Sequence, residues 1–133
     1  IDELRALAPQ AEILVLIVPL TDDTRGLVDA ELLALLPEQA LVVNVARGPV
    51  VDTDALVEAC QAGRVRAALD VTDPEPLPEG HPLWSLPNCI ITPHVGNTPA
   101  MAVPLLSERI TTNVRRFADG EPLVGPVHVD LGY

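Results

Sequence analysis

Apolar positions along this chain change rhythm from segment to segment, and each rhythm predicts an element. Ile1, Leu4 and Leu7 recur at helical spacing, which predicts a short amphipathic helix ended before Pro9. Residues 13–18 form a continuous aliphatic run with no polar alternation, the pattern of a strand buried on both faces of a parallel sheet. Asp29 stands where it can cap a helix carrying Leu32, Leu33, Leu35 and Leu36, closed by Pro37. A second strand is predicted at Ala40–Asn44. Asp52, Thr53 and Asp54 then offer caps for a helix through Ala62, with Gly63 as its stop. A third strand covers Val65–Leu69 and a short fourth covers Cys89–Ile91; between them lies a long structured loop with five prolines in 72–87. Last, Val103, Leu106, Ile110, Val114 and Phe117 recur at steps of 3, 4, 4 and 3, so Pro99–Ala118 reads as one long amphipathic helix stopped by Gly120. Pro104 sits early in that helix, and the tail 121–133 reads as irregular.

Strand, helix, strand, helix, strand, loop, strand is the order of an α/β fold with a parallel sheet. Composition narrows the picture. At 133 residues the chain is one domain's worth, and 48% hydrophobic against 20% charged residues is a globular balance. The run at 13–18 is too short to span a bilayer, so no membrane segment is expected. A net charge of −11 repels a phosphate backbone and argues against nucleic acid as a partner. Cys60 and Cys89 both sit in apolar stretches and read as small buried hydrophobes of a reduced, cytoplasmic protein, with neither a disulfide framework nor a metal site. The chain starts at Ile1 without a signal peptide, and a piece of something longer is expected.

Open sheets of this class bind ligands outside the carboxyl ends of their strands. The residues just past the four predicted strands fall at 19–24, 44–48, 70–75 and 94–96, and they include an arginine, carboxylates and an imidazole. Taken singly each has an ordinary reading: Arg47 as a solvated turn residue, Glu75 as a surface carboxylate, Asp70 as a cap, Thr24 as a turn hydroxyl. Their joint occurrence at successive strand ends is what marks them. His81 and His128 read as surface residues.

The same segments carry a resemblance. Val18-Pro-Leu-Thr-Asp-Asp-Thr-Arg-Gly26, Asn44-Val-Ala-Arg-Gly48 with Val51-Asp52, Ala68-Leu-Asp-Val71 with Asp73-Pro-Glu-Pro76, and Thr92-Pro-His-Val-Gly96 resemble signatures of the D-isomer-specific 2-hydroxyacid dehydrogenases, in that family's order. The resemblance implies a Rossmann-type doubly wound parallel sheet, of which this chain holds half, plus a long C-terminal crossover helix. It implies domain portions at 1–97 (nucleotide-binding) and 98–133 (crossover helix and tail). It also implies reduction of a small 2-keto acid with NAD or NADP as cofactor, and a catalytic trio of Arg47, Glu75 and His94. An arginine fork suits a carboxylate, a histidine titrates near working pH, and a carboxylate beside it orients the ring. Pro19, Thr24, Val45, Ala46, Arg47, Asp70, His94 and Gly96 are implied along the nicotinamide half of the cofactor, with Asp70 accepting from the carboxamide and Gly96 allowing close approach.

No G-x-G-x-x-G occurs in the 133 residues, so the turn that holds the pyrophosphate is expected upstream, with the acidic residue that reads the ribose. In the strand order 3-2-1-4-5-6 the run 13–18 is strand 4, and in place of the absent strand 1 it is expected to pair with the missing N-terminal half of the same protein, with another copy of itself or with further chain. The piece alone is expected to be inactive, and the intact protein to be a cytoplasmic homodimer. The rival readings are a cofactor-sensing corepressor without turnover, a formate dehydrogenase, and a purely structural fragment that oligomerises through its exposed edge. Against the formate dehydrogenase stands Glu75, where that branch carries glutamine.

Overall fold

Four aliphatic segments form the strands β1 (Ile13–Leu16), β2 (Ala40–Asn44), β3 (Val65–Leu69) and β4 (Cys89–Ile91) of a computed structural model that describes residues 2–131. They pair in parallel, in chain order β1-β2-β3-β4. The register sets Leu16 opposite Asn44, Asn44 opposite Leu69 and Leu69 opposite Ile91, so all four strands end along one line. Ile1, Gly132 and Tyr133, at the ends of the first and last predicted segments, lie outside the described residues.

Helices α1 (Asp2–Leu7), α2 (Ala30–Leu35) and α3 (Thr53–Gln61) precede β1, β2 and β3. Asp29 caps α2 by accepting from the Leu32 N–H at 2.8 Å, and Asp52 caps α3 by accepting from the Ala55 N–H at 3.0 Å. At the far end of α3, Gly63 takes φ +69° while its N–H and that of Arg64 return to the carbonyls of Cys60 and Ala59. This is the glycine stop read from the sequence, at the expected Gly63, with the helix itself ending at Gln61, one residue before the expected Ala62. Helix α1 ends at Leu7, and Pro9 lies in a single 3₁₀ turn, Ala8–Gln10, that follows it.

Right-handed crossovers put successive connectors of a sheet that grows in one direction on the same face. Accordingly α2 and α3 pack against each other and over alternate strand positions. Leu32, Leu33, Leu56 and Cys60 close over Val42, Asn44, Val65, Ala67 and Leu69, all buried. The other face differs from the expectation of strands buried on both sides: Ile13 is 59% exposed, Val15 51% and Ile90 68%. The aliphatic run is also shorter as a strand than 13–18. β2 turns away after Asn44, the residue opposite Leu16, so Ile17 and Val18 have no ladder to join.

Both cysteines are free, Cys60 buried and Cys89 partly so. Burial, with Cys89 nearby as a lesser cause, pushes the Cys60 thiol up to about 11. The 72–87 segment is anchored by buried Leu77 and Leu83 and contains a 3₁₀ turn, Pro82–Trp84. His81 is not a plain surface residue: its Nδ1 accepts from the Leu83 N–H and caps that turn.

Contacts divide the chain into a unit up to His94 and a second from Val95 on. The second is built on α4 (Pro99–Ala118), which carries Pro104 inside it and buries none of its residues. Gly120, at φ +73°, follows its last turn. The tail is less irregular than expected, because Val124 exchanges hydrogen bonds with the Asn113 side chain at 2.9 and 3.1 Å and so lies back along the helix.

Candidate functional site

Because the strands end in line, four loops leave the sheet side by side. The first, after β1, is closed by Thr24, whose hydroxyl accepts from the Thr21 N–H at 2.8 Å and donates to the Pro19 carbonyl at 2.6 Å. Pro19 and Thr24 are therefore brought together, with both polar groups engaged in the turn.

The second loop begins with Asn44, which is buried. Its side-chain carbonyl accepts from the Ala46 N–H and its amide donates to the Arg47 carbonyl, both at 3.0 Å. This closed turn leaves Val45 exposed and Ala46 buried, and it places Arg47 on the surface in extended backbone. The guanidinium donates to the Ala46 carbonyl at 2.7 Å. Gly48 follows, and a Cβ there would meet the Thr72 carbonyl oxygen at 1.9 Å. Only glycine lets the arginine turn dock so closely on the loop after β3. The Thr53 hydroxyl adds to that docking by donating to the Asp73 carbonyl at 2.9 Å.

The third and fourth loops meet through side chains. Asp70, buried at the end of β3, accepts from the Thr92 hydroxyl at 2.5 Å. Glu75 Oε1 lies 2.6 Å from His94 Nδ1, and its Oε2 accepts from the Thr72 N–H at 3.4 Å. The hydrogen bond from His94 is the largest cause of a Glu75 pKa below the ordinary carboxylate value; the Thr72 N–H adds to it, and the Arg47 charge adds least. His94 takes φ +53°, a left-handed backbone that histidine tolerates better than most residues and that is worth notice beside reactive groups. Asp70, Thr72, Glu75, Thr92 and His94 form the polar wall of a cavity of about 340 Å³ whose apolar wall includes Leu77, Trp84, Ile91 and Pro93. A mostly apolar hollow with a few convergent polar groups is the usual form of a small-molecule site.

Of the residues singled out in the sequence, the structure thus joins Glu75 to His94 directly, while Arg47 contributes only the smallest part of the lowering of the Glu75 pKa. Gly96 belongs to the second unit. Asn44, Thr72 and Thr92 were missed as individuals. For Asn44 a signal existed: it is a polar residue at the inward phase of an aliphatic strand, directly before Val-Ala-Arg-Gly. For the two threonines the signal is tertiary, since each acts on a residue of a loop or strand end that only folding defines.

The family model of the D-isomer specific 2-hydroxyacid dehydrogenase NAD binding domain matches residues 1–96. Glyoxylate/hydroxypyruvate reductase A of Salmonella choleraesuis is 39% identical over 135 residues, which is 99% of this chain and 42% of that protein. The chain therefore spans about two fifths of the length of such curated relatives. Among solved structures, a D-isomer specific 2-hydroxyacid dehydrogenase from Xanthobacter autotrophicus Py2, in complex with NADPH and MES, is 44% identical. It superposes with a TM-score of 0.89 over 100% of this chain and 55% of its own. The NADPH-dependent glyoxylate/hydroxypyruvate reductase of Sinorhizobium meliloti, in complex with NADP and sulfate, is 32% identical with a TM-score of 0.91, over 99% of this chain and 43% of its own.

Proposed function

The chain belongs to the D-isomer specific 2-hydroxyacid dehydrogenase family, and from that premise we propose that the protein carrying it reduces small 2-keto acids of the glyoxylate and hydroxypyruvate kind to 2-hydroxy acids with NADH or NADPH. The observation that carries this reading is the Glu75–His94 contact at 2.6 Å, set beside Asp70 at the shared carboxyl edge of β3 and β4. Residues at that edge fit the nicotinamide end of the cofactor: a buried carboxylate at Asp70 for the carboxamide, the exposed apolar Val45, and the backbone around Pro19 and Ala46. The pyrophosphate end has no glycine-rich turn among these 133 residues.

When bound, the nicotinamide supplies a hydride to the carbonyl carbon of the acid. Arg47 holds the substrate carboxylate through its planar fork. Glu75, an acceptor as a carboxylate, keeps a proton on Nδ1 of His94, so Nε2 is the nitrogen turned to the substrate. As the carbonyl π pair moves onto oxygen, His94 delivers the Nε2 proton there; in oxidation the same nitrogen takes the alcohol proton. Glu75 holds the ring in the orientation both directions need.

The finer parts of the proposal follow from the same reading. An N-terminal half supplies the neighbour of β1 and the pyrophosphate turn, and the intact protein is a cytoplasmic homodimer. No helix among the described residues is long and apolar enough to cross a membrane. The test is the loss of NADH or NADPH absorbance on adding glyoxylate or hydroxypyruvate to the full-length protein and to its His94→Ala variant. Turnover that His94→Ala abolishes supports the reading. A full-length protein that binds cofactor and reduces none of a panel of 2-keto acids overturns it in favour of a cofactor-sensing binding protein.

A further inference from the structure

We infer that Thr92 is a positioning residue that sets Asp70 through its side chain and His94 through its backbone, so that the cofactor end and the proton-transfer end of the site share one support. The inference rests on the reading of Asp70 as the acceptor of the nicotinamide carboxamide. Thr92 directly follows β4, and its N–H extends the ladder by donating to the Leu69 carbonyl at 2.8 Å. Its backbone is therefore fixed by the β3–β4 pairing, not by loop packing. From that fixed point the hydroxyl donates to Asp70 Oδ1 at 2.5 Å, a short bond of the charge-assisted kind. A β-branched side chain has few rotamers to choose from, so the hydroxyl is held on its target. The carbonyl of the same residue accepts from the His94 N–H at 3.0 Å, closing a tight turn around Pro93 that aims His94 from φ +53°.

The two halves of this arrangement can be separated. Thr92→Val keeps the branched shape and the backbone bond to His94 while removing only the hydroxyl that turns Asp70. In the full-length protein, fluorescence titration with NADH and NADPH is expected to show cofactor binding weakened about tenfold, the usual scale for losing a hydrogen bond to a charged group. The KM for the keto acid and the pH profile of kcat/KM, which report Arg47 and His94, are expected to stay where they are. Thr92→Ser restores the hydroxyl and is expected to recover cofactor binding to within about threefold, the cost of a freer rotamer being small.

Unchanged cofactor binding in Thr92→Val overturns the inference. So does an equal loss of cofactor and keto-acid binding that Thr92→Ser fails to rescue, because a general loosening of the fold acts on both. If the full-length protein binds cofactor but reduces no 2-keto acid, the proposed reaction fails while the titration still decides the role of Thr92. If it binds neither NADH nor NADPH, both readings fall.

Discussion

The loops after β3 and β4 and those after β1 and β2 end on the same edge of one sheet, yet they are organised in different ways. On the β3–β4 side, functional groups hold one another: Thr92 holds Asp70, and Glu75 is shared between His94 and Thr72. On the β1–β2 side, each turn is closed by a side chain of its own, Thr24 in one and Asn44 in the other, and the Arg47 guanidinium donates to the carbonyl of the residue before it. The proposed acid–base pair is thus held side chain to side chain, whereas the proposed carboxylate-binding arginine has its backbone placed by the turn and its guanidinium on the nearest carbonyl. An imidazole must have its tautomer fixed to transfer a proton, whereas a guanidinium fork can be drawn into line by the carboxylate it binds.

Substitutions that strike the two sides should therefore separate rate from binding. His94→Ala removes the proposed proton donor and is expected to lower kcat by about 10² to 10⁴, the range for one general acid, with little change in the KM for cofactor. Stopped-flow measurement of NADPH oxidation checks it, and a loss below tenfold would dissolve the proposed contrast. Arg47→Lys keeps the charge and loses the fork, so the keto-acid KM should rise by about tenfold or more while cofactor binding holds. A fall in kcat alone would instead place Arg47 among the preassembled groups.

Asn44→Ala tests the support of the arginine turn. It leaves the buried Ala46 N–H and the part-buried Arg47 carbonyl without this side-chain partner, at a cost of about 1–3 kcal/mol in urea unfolding. The keto-acid KM is expected to rise with it. A stable variant with an unaltered KM would mean that the turn is held by the docking of Gly48 on Thr72 instead.

The smallest effect concerns acid. The Leu32 N–H, then Arg5, hold the Asp29 carboxyl below its usual 3.8, and His94 chiefly holds Glu75 below 4.5. For a depressed carboxyl the stabilisation is complete above the unfolded-state value and is lost as pH falls through the folded one. Both side chains are more than a third exposed, at 38% for Asp29 and 42% for Glu75, so solvent screening keeps each contribution modest. Urea midpoints should fall more steeply below about pH 4 in the wild type than in Asp29→Asn, which keeps a capping oxygen without the charge. Parallel slopes would show that the Asp29 charge adds nothing beyond the cap.

Much of this could be read in the chain beforehand. Ala40–Asn44, Val65–Leu69, Cys89–Ile91 and Pro99–Ala118 fall where the pattern places them. Each is specified locally, by an aliphatic run or a 3.6-residue stripe bounded by proline, glycine or a capping aspartate. Placing Arg47, Asp70, Glu75 and His94 just past strand ends is equally local once the strands are known. What connects those residues is not local. Glu75 and His94 stand 19 residues apart and Asp70 and Thr92 stand 22 apart, and nothing in either spacing announces a 2.6 or 2.5 Å contact.

The two faces of the sheet mark the same boundary. A continuous aliphatic run says that a strand has apolar side chains on both sides, and it does so for β1 whether or not anything lies against them. Which side is covered depends on the path of the chain between strands. Right-handed connections in a sheet that extends in one direction bring α2 and α3 to a single face and leave Ile13, Val15 and Ile90 on the other. Sequence thus determined the elements and the chemistry at their ends, because both depend on neighbours within a few residues. Tertiary structure alone decided the covered face, the pairing of Glu75 with His94 and the hold of Thr92 on Asp70, because each requires strands distant in the chain to lie side by side in register.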